Sequence, residues 1–407
     1  MLVVTANWAI PDGSVAEPPR PAPFLRLLDD LRLAALRAGF GRDGRYRPVE
    51  RVVVVLAGDT LDGLVSGRWL EGVRPWDRGR RARALHEEVL HAAWRHARRP
   101  LAAVTRLARR GLAVPTADRH GRPALGLPTA VPVRAVLLLG DRDAALGRFA
   151  GRRSVGIGTV WEGAGLTVAH GALADPLAVP ERGPTLLESL AVDLLARFGA
   201  TLAERPALAT PGRGLVRILA AARPLDMPLR LRASLAAEPA AAGRITDAWR
   251  RAVDRWAREA RRAGCGEEPG TVDALAAWMH ARVGGAAPVP AAAEIVAALS
   301  AALPAAVTGA GGPGLTVLGH PGVDSGTARV VGLGPPPEDV AAPPFLGGAT
   351  AVSCTEAAPA VPVRGPAAVA VFEDGESLGF EPRWAPVGGT GAAVAARPVP
   401  RPILDAA

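Results

Sequence analysis

The chain has 407 residues, 49% of them hydrophobic and only 4% aromatic, so it can bury a large core filled mainly by Ala, Val and Leu. Its formal charge of +9 rests on arginine alone, with no lysine present, which reads as coding bias before it reads as a nucleic-acid signature. Two distant cysteines, Cys265 and Cys354, exclude a disulfide framework and a cysteine zinc cluster, and no apolar run is long enough to span a bilayer.

The opening Met1-Leu-Val-Val-Thr has no basic flank and soon reaches Pro11, so no secretory signal is read and the cytoplasm is the expected compartment. Leu2 to Thr5 reads as a short strand, followed by a Pro-rich loop and a helix from about Pro23 to Ala38. Arg51-Val-Val-Val-Val-Leu-Ala-Gly-Asp-Thr-Leu-Asp62 then reads as one strand, apolar on both faces, that runs into a Gly-Asp turn. Strand, helix, strand is the βαβ pattern of a parallel sheet.

Residues 64–130 form a long interval expected to be a helical insertion. Its middle, near 80–112, is rich in Ala, Arg and Leu at helical spacing, and its arginines are expected to form a solvated face. His86, His91 and His96 fall five apart there, which does not place them on one helix face. Pro115 to Pro132 is turn-rich. Val133-Arg-Ala-Val-Leu-Leu-Leu-Gly-Asp-Arg-Asp143 repeats the design of an apolar strand ending in Gly-Asp, and further strands are expected near 154–160 and 165–169. From Thr185 to Leu303 the pattern is helical, with Trp249, Val253 and Trp256 spaced as packing anchors. Later β signals include Ala367-Ala-Val-Ala-Val-Phe-Glu-Asp-Gly375, which turns toward Leu378 as a hairpin, and the chain closes on a Gly/Ala/Pro-rich tail.

Four strands thus deliver a carboxylate or imidazole at their C-terminal ends: Asp59, Asp141, His170 in Leu166-Thr-Val-Ala-His-Gly171, and His320 in Leu315-Thr-Val-Leu-Gly-His320. Ligands collect past the carboxyl ends of strands in open α/β sheets, and mixed carboxylate and imidazole donors held on rigid elements suit a divalent cation. Asp62 reads as a hydrogen-bonding turn residue.

In order and spacing these residues resemble the calcineurin-like metallophosphoesterase family. Gly58-Asp-Thr-Leu-Asp62 is similar to its Gly-Asp-x-x-Asp motif, and Gly140-Asp-Arg-Asp143 stands where the family has Gly-Asn-His-Asp/Glu. His170-Gly-Ala-Leu-Ala-Asp175-Pro resembles the form found in the bacterial UDP-diacylglucosamine pyrophosphohydrolase branch, and Gly319-His-Pro-Gly322 stands for Gly-His-x-His. The resemblance implies an α/β fold, a four-layer β-sandwich flanked by helices. The expected divisions are residues 1–184, a helical cap at 185–310, a C-terminal β part at 311–385 and a loose tail at 386–407.

The family's opening Asp-x-His falls on Ala6-Asn7-Trp8, with only Asn7 or Asp12 as weak stand-ins, and the second histidine of the last motif is Gly322. These losses fall on one of the family's two metal sites. The other keeps Asp59, Asp141, His170 and His320, which implies one divalent ion, Mn, Fe or Zn. Arg142 replaces the histidine that would protonate a leaving group. Arginine cannot act as a general acid at neutral pH, but it can clamp a phosphate, and Asp143 is expected to pair with it. The functional expectation is a metal-dependent phosphoester hydrolase acting on a phosphorylated small molecule or phosphodiester, with Arg142 and Asp143 as catalytic candidates. The alternative is an inactive member of the same fold that holds a metal or phosphate, in which Trp8 fills the vacated half of the site. Nucleic acid, met through the Arg-rich helix, is the least favoured partner.

Overall fold

The structure is a computed structural model that describes residues 1–6, 8–18, 22–41, 43–146, 156–163, 166–171, 175, 177–178, 184–220, 222, 224–237, 239–265, 270–309, 315–318, 330–332, 367–374 and 377–384. Its first sheet grows from the valine-rich runs. Strands β1 (Leu2–Thr5) and β2 (Val52–Ala57) precede and follow helix α1 (Ala22–Ala38) in the chain, and β2 pairs in parallel with β1, Val3 beside Val54. The chain next forms α2 (Arg80–Arg110), a hairpin of β3 (Leu112–Ala117) and β4 (Pro123–Val131), and β5 (Val133–Leu138), which pairs in parallel with the other edge of β2.

Side chains alternate across a strand, and the burial follows that period. Val3, Val54, Leu56, Ala135 and Leu137 share a core with Leu31 and Ala35 of α1 and with Leu90, Ala93, Ala97 and Leu101 of α2, so the two helices cover this face. Val55, Ala57, Val136 and Leu138 alternate with them and are also buried. That opposite face meets the second sheet, where β8 (Leu166–Ala169) lies against β2 and β7 (Val160–Gly163) against β5.

The interval 64–130 departs from the expected helical insertion. Only α2 is helical over a long span there, and 112–131 is a β-hairpin. Gly111 ends the helix at φ +76°, and Leu112, Val114 and Val131 then point alternately into the core under the sheet. The Pro/Gly-rich signal marks only the turn, in which the Asp118 carboxylate accepts the amides of His120 and Arg122.

After β6 (Gly156–Gly158), β7 and β8, the chain becomes helical: α3 (Leu186–Ser189), a π-helical stretch Leu190–Ala196, α4 (Arg197–Ala203), α5 (Pro206–Ala220), α6 (Met227–Ala237), α7 (Pro239–Ala263), α8 (Thr271–Gly284) and α9 (Pro290–Gly309). Thr185 and Glu188 form a reciprocal capping box at the start of α3. β9 (Leu315–Leu318) and β10 (Val330–Gly332) complete the second sheet in the order β10-β9-β8-β7, and the hairpin β11 (Ala367–Asp374) and β12 (Ser377–Trp384) completes the first, in the order β12-β11-β1-β2-β5-β6. The whole is a mixed α/β structure with a largely parallel central sheet. None of the helices among the described residues is long and apolar enough to cross a membrane.

The helices have their own core, in which Trp249 packs edge-on against Phe198 and Trp256 donates its ring N–H to Ser189 at 2.9 Å. Val15, Leu64 and Val65 join this core from the loops that follow β1 and β2. Asp193, inside the π-helical stretch, is paired with Arg74 at 3.0 Å and Arg197 at 3.5 Å, a second tie between the helices and the segment after β2. The helical unit is therefore braced against the loops that carry the strand-end acids. Both tryptophans are fully buried, but the Trp249 ring N–H has no hydrogen-bond partner. Trp256→Phe should therefore lower unfolding free energy by about 1 kcal/mol more than Trp249→Phe, since both lose the same volume and only the former breaks a hydrogen bond. Equal losses in denaturant titrations would contradict this packing.

Candidate metal centre

The centre lies where β2, β5 and β8 end side by side. Ala57 of β2 pairs with Leu138 of β5, and β8 crosses beside them and ends at Ala169, one residue before His170. Gly58, at φ +90°, swings the chain out of β2, and a Cβ there would lie 2.3 Å from the His170 ring. Asp59 follows in the left-handed region at φ +49°, where aspartate is tolerated better than most residues. Its carbonyl accepts the amide of Ala9, itself at φ +42°, so the turns after β1 and β2 lock each other in place.

His170 spans two carboxylates. Its Nε2 lies 3.3 Å from Asp59 Oδ2 and its Nδ1 lies 3.3 Å from Asp141 Oδ1. Donor atoms of Asp59, Asp141 and His170 all lie within 4.8 Å of one another. Neither carboxylate oxygen of Asp141 accepts a hydrogen bond, although both are buried. A buried carboxylate normally has its lone pairs satisfied, so these oxygens are suited to a cation. Gly140 leaves the necessary room, since a Cβ at that position would lie 2.1 Å from Asp59 Oδ1.

The acids beside this group have defined tasks. The Asp143 carboxylate accepts the amides of Gly140 at 2.7 Å and Thr60 at 2.8 Å, and more weakly that of Leu61, stitching the β2 turn to the β5 turn. Asp62 accepts the amides of Leu64 and Val65 through one oxygen, as a turn residue should, and holds the Arg142 guanidinium at 2.9 Å through the other. The expected Arg142–Asp143 pair is therefore replaced by Arg142–Asp62, because the Asp143 oxygens are already committed to backbone amides. Arg142 also reaches Asp59 Oδ2 at 3.7 Å and is only 4% exposed, so its guanidinium is engaged with carboxylates rather than open to solvent.

Electrostatics follow from this crowding. Four carboxylates, of Asp59, Asp62, Asp141 and Asp143, surround one guanidinium and one imidazole. Burial pushes Asp59 up, but the charges of His170 and Arg142 and their hydrogen bonds hold it well below the usual carboxylate range. Burial and the neighbouring Asp59 charge raise Asp141 to about 7 and Asp143 to about 7. For His170, burial favours the neutral ring but is outweighed by Asp59, Asp141 and Asp143, which raise it to about 9. The centre thus retains protons at neutral pH because its carboxylates outnumber its cationic groups.

No family model matches the chain, and no curated protein or solved structure matches it.

Of the four expected metal ligands, the structure brings Asp59, Asp141 and His170 together. His320 lies outside the described residues, but β9 ends at Leu318 paired beside Ala169, next to the strand end that carries His170. Asn7 also lies outside them. Asp12 is not a stand-in ligand: it is buried and accepts the hydroxyls of Ser14 at 2.6 Å and Ser66 at 2.7 Å, closing a separate loop. Trp8 packs in the core under the first sheet with Ile10, Leu61 and Leu90, its ring N–H on Thr5 at 2.9 Å. The role of Asp62 as the arginine's partner escapes the sequence, because 80 residues separate the two.

Two outcomes follow for the metal-free chain. The folded value for His170, about 9, lies above its ordinary 6.5, so the stability it contributes is fully present below about 6.5 and is lost as pH rises through 9. Asp141, raised to about 7, acts with the same sign. Denaturant unfolding should therefore show stability falling from pH 6.5 to 9 in the native chain and falling less in His170→Gln; identical profiles would contradict the arrangement. Gly140→Ala should cost about 1–3 kcal/mol of stability by forcing Asp59 aside, and should weaken metal uptake at the same time.

Proposed function

We propose that the chain is a metallophosphoesterase-like hydrolase that cleaves phosphoesters with one divalent ion, Mn, Fe or Zn. The observation that carries the reading is the buried Asp59, Asp141 and His170 group at three neighbouring strand ends, with the Asp141 oxygens unsatisfied. Two sheets in contact, the first covered on its other face by α1 and α2, are compatible with the layered sandwich that the sequence motifs suggest, and the helical unit with a cap. Carboxylate and imidazole donors together suit those metals better than Mg or Ca, which prefer all-oxygen shells.

When bound, such an ion supplies Lewis acidity toward a phosphoryl oxygen and toward the attacking water. Asp59, Asp141 and His170 would hold it, with His320 as the expected fourth donor. Asp143 keeps the β2 and β5 turns in register, and Arg142 fixes Asp59 and Asp62. Arg142 remains charged and cannot give a proton to a departing alkoxide. Substrates whose leaving group departs as a stable anion are therefore favoured, such as aryl phosphodiesters and pyrophosphate-linked compounds.

Hydrolysis of bis(4-nitrophenyl) phosphate by the full chain, with Mn present and after chelation, tests this. Metal-dependent turnover is expected, and His170→Ala should reduce it on the order of 100-fold or more, since loss of even an outer-sphere partner costs about 10–100-fold. Turnover unaffected by chelation or by His170→Ala contradicts the proposal. The missing general acid favours a second reading, a member of the same architecture that holds its ion without catalysis. Metal uptake with no hydrolysis of any activated ester is the result that would select it.

A further inference from the structure

The guanidinium of Arg142 sits inside the carboxylate cluster as a permanent cation. It lies 2.9 Å from Asp62 Oδ2 and 3.7 Å from Asp59 Oδ2. Asp59 Oδ2 is also the oxygen 3.3 Å from His170 Nε2. One carboxylate oxygen is therefore shared between the candidate ion position and the arginine. The other oxygen of Asp59 accepts the Arg142 backbone amide at 3.1 Å, so side chain and main chain grip the same carboxylate. Asp62 is fully buried, and apart from the guanidinium it has only backbone amides to balance its charge.

We propose that Arg142 is a built-in counter-ion that occupies a second cation position, formed by Asp59 Oδ2 and Asp62 Oδ2, and so limits the centre to one exchangeable ion. The inference rests on the reading of Asp59, Asp141 and His170 as a metal site, and it deepens that reading by assigning the arginine to stoichiometry rather than to substrate. Its physical basis is charge. A buried carboxylate without a cation is costly, so Asp62 needs a partner. A guanidinium cannot lose its proton, so unlike a lysine or histidine it does not yield the position to a metal as pH changes.

The test is metal content per chain, by elemental analysis after equilibration with Mn and removal of free ion, for the full chain and for Arg142→Gln. The glutamine leaves Asp62 without a cation, and the count should rise by one over the full chain. An unchanged count overturns the inference, whatever its starting value. The starting value judges the underlying reading separately: one ion in the full chain agrees with it, and none sinks it even if Arg142→Gln then gains an ion. Should Arg142→Gln fail to fold, Mn-soaked crystals of the full chain decide the same point: no anomalous peak is expected between Asp59 Oδ2 and Asp62 Oδ2, where the guanidinium sits, and a peak there overturns the inference.

Discussion

Burying several carboxylates at one point is unfavourable unless positive charge or hydrogen bonds compensate each of them, and the loops of this protein are arranged around that requirement. Each acid has a different solution. Asp143 takes backbone amides from two turns. Asp62 takes two amides and a guanidinium. Asp59 is shared between that guanidinium and an imidazole. Asp141 alone is left with a facing imidazole and no hydrogen bond to either oxygen. The deficit is concentrated at one place, and a cation is the simplest chemistry that removes it.

The scaffold explains why the deficit can be sustained. The turn after β2 is fixed by the hydrogen bond that the Ala9 amide donates to the Asp59 carbonyl, by the Asp143 carboxylate, and by Leu64 and Val65, which enter the helical core. Left-handed backbone at Ala9 and Asp59 costs on the order of 1–3 kcal/mol per residue and persists only where surroundings over-determine it. Asp193, with Arg74 and Arg197, ties the same helical unit to the segment after that turn. Helices and sheets therefore meet at the site through rigid contacts, which is what positioning a small set of donors requires.

Much of this was legible in the sequence because it is local. The β2 run is apolar on both faces and ends in Gly-Asp, and the strand, the left-handed glycine and the position of Asp59 follow from those residues alone. The same holds for Asp141 and for His170. The β11–β12 hairpin was legible from its Glu-Asp-Gly turn, and Trp249 and Trp256 from their helical spacing. What escaped is non-local or depends on context. The proline-rich 115–132 stretch reads as irregular, yet its Val131 joins Leu112 and Val114, just before it, in the core, and the segment makes a hairpin. Asp143, adjacent to Arg142 in sequence, is the expected partner, but both its oxygens accept backbone amides and the guanidinium meets Asp62, 80 residues away. Asp12 looks like a spare ligand only until Ser14 and Ser66 are seen to satisfy it.

Crystals of the full chain soaked in Mn and measured at a wavelength where manganese scatters anomalously test the central claim most directly. One anomalous peak at bonding distance from Asp59, Asp141 and the His170 ring is the predicted result, with the Arg142 guanidinium still against Asp62. No peak there, or a peak that leaves Asp141 without a ligand, would mean that the buried carboxylates are compensated in some other way and that the metal account is wrong.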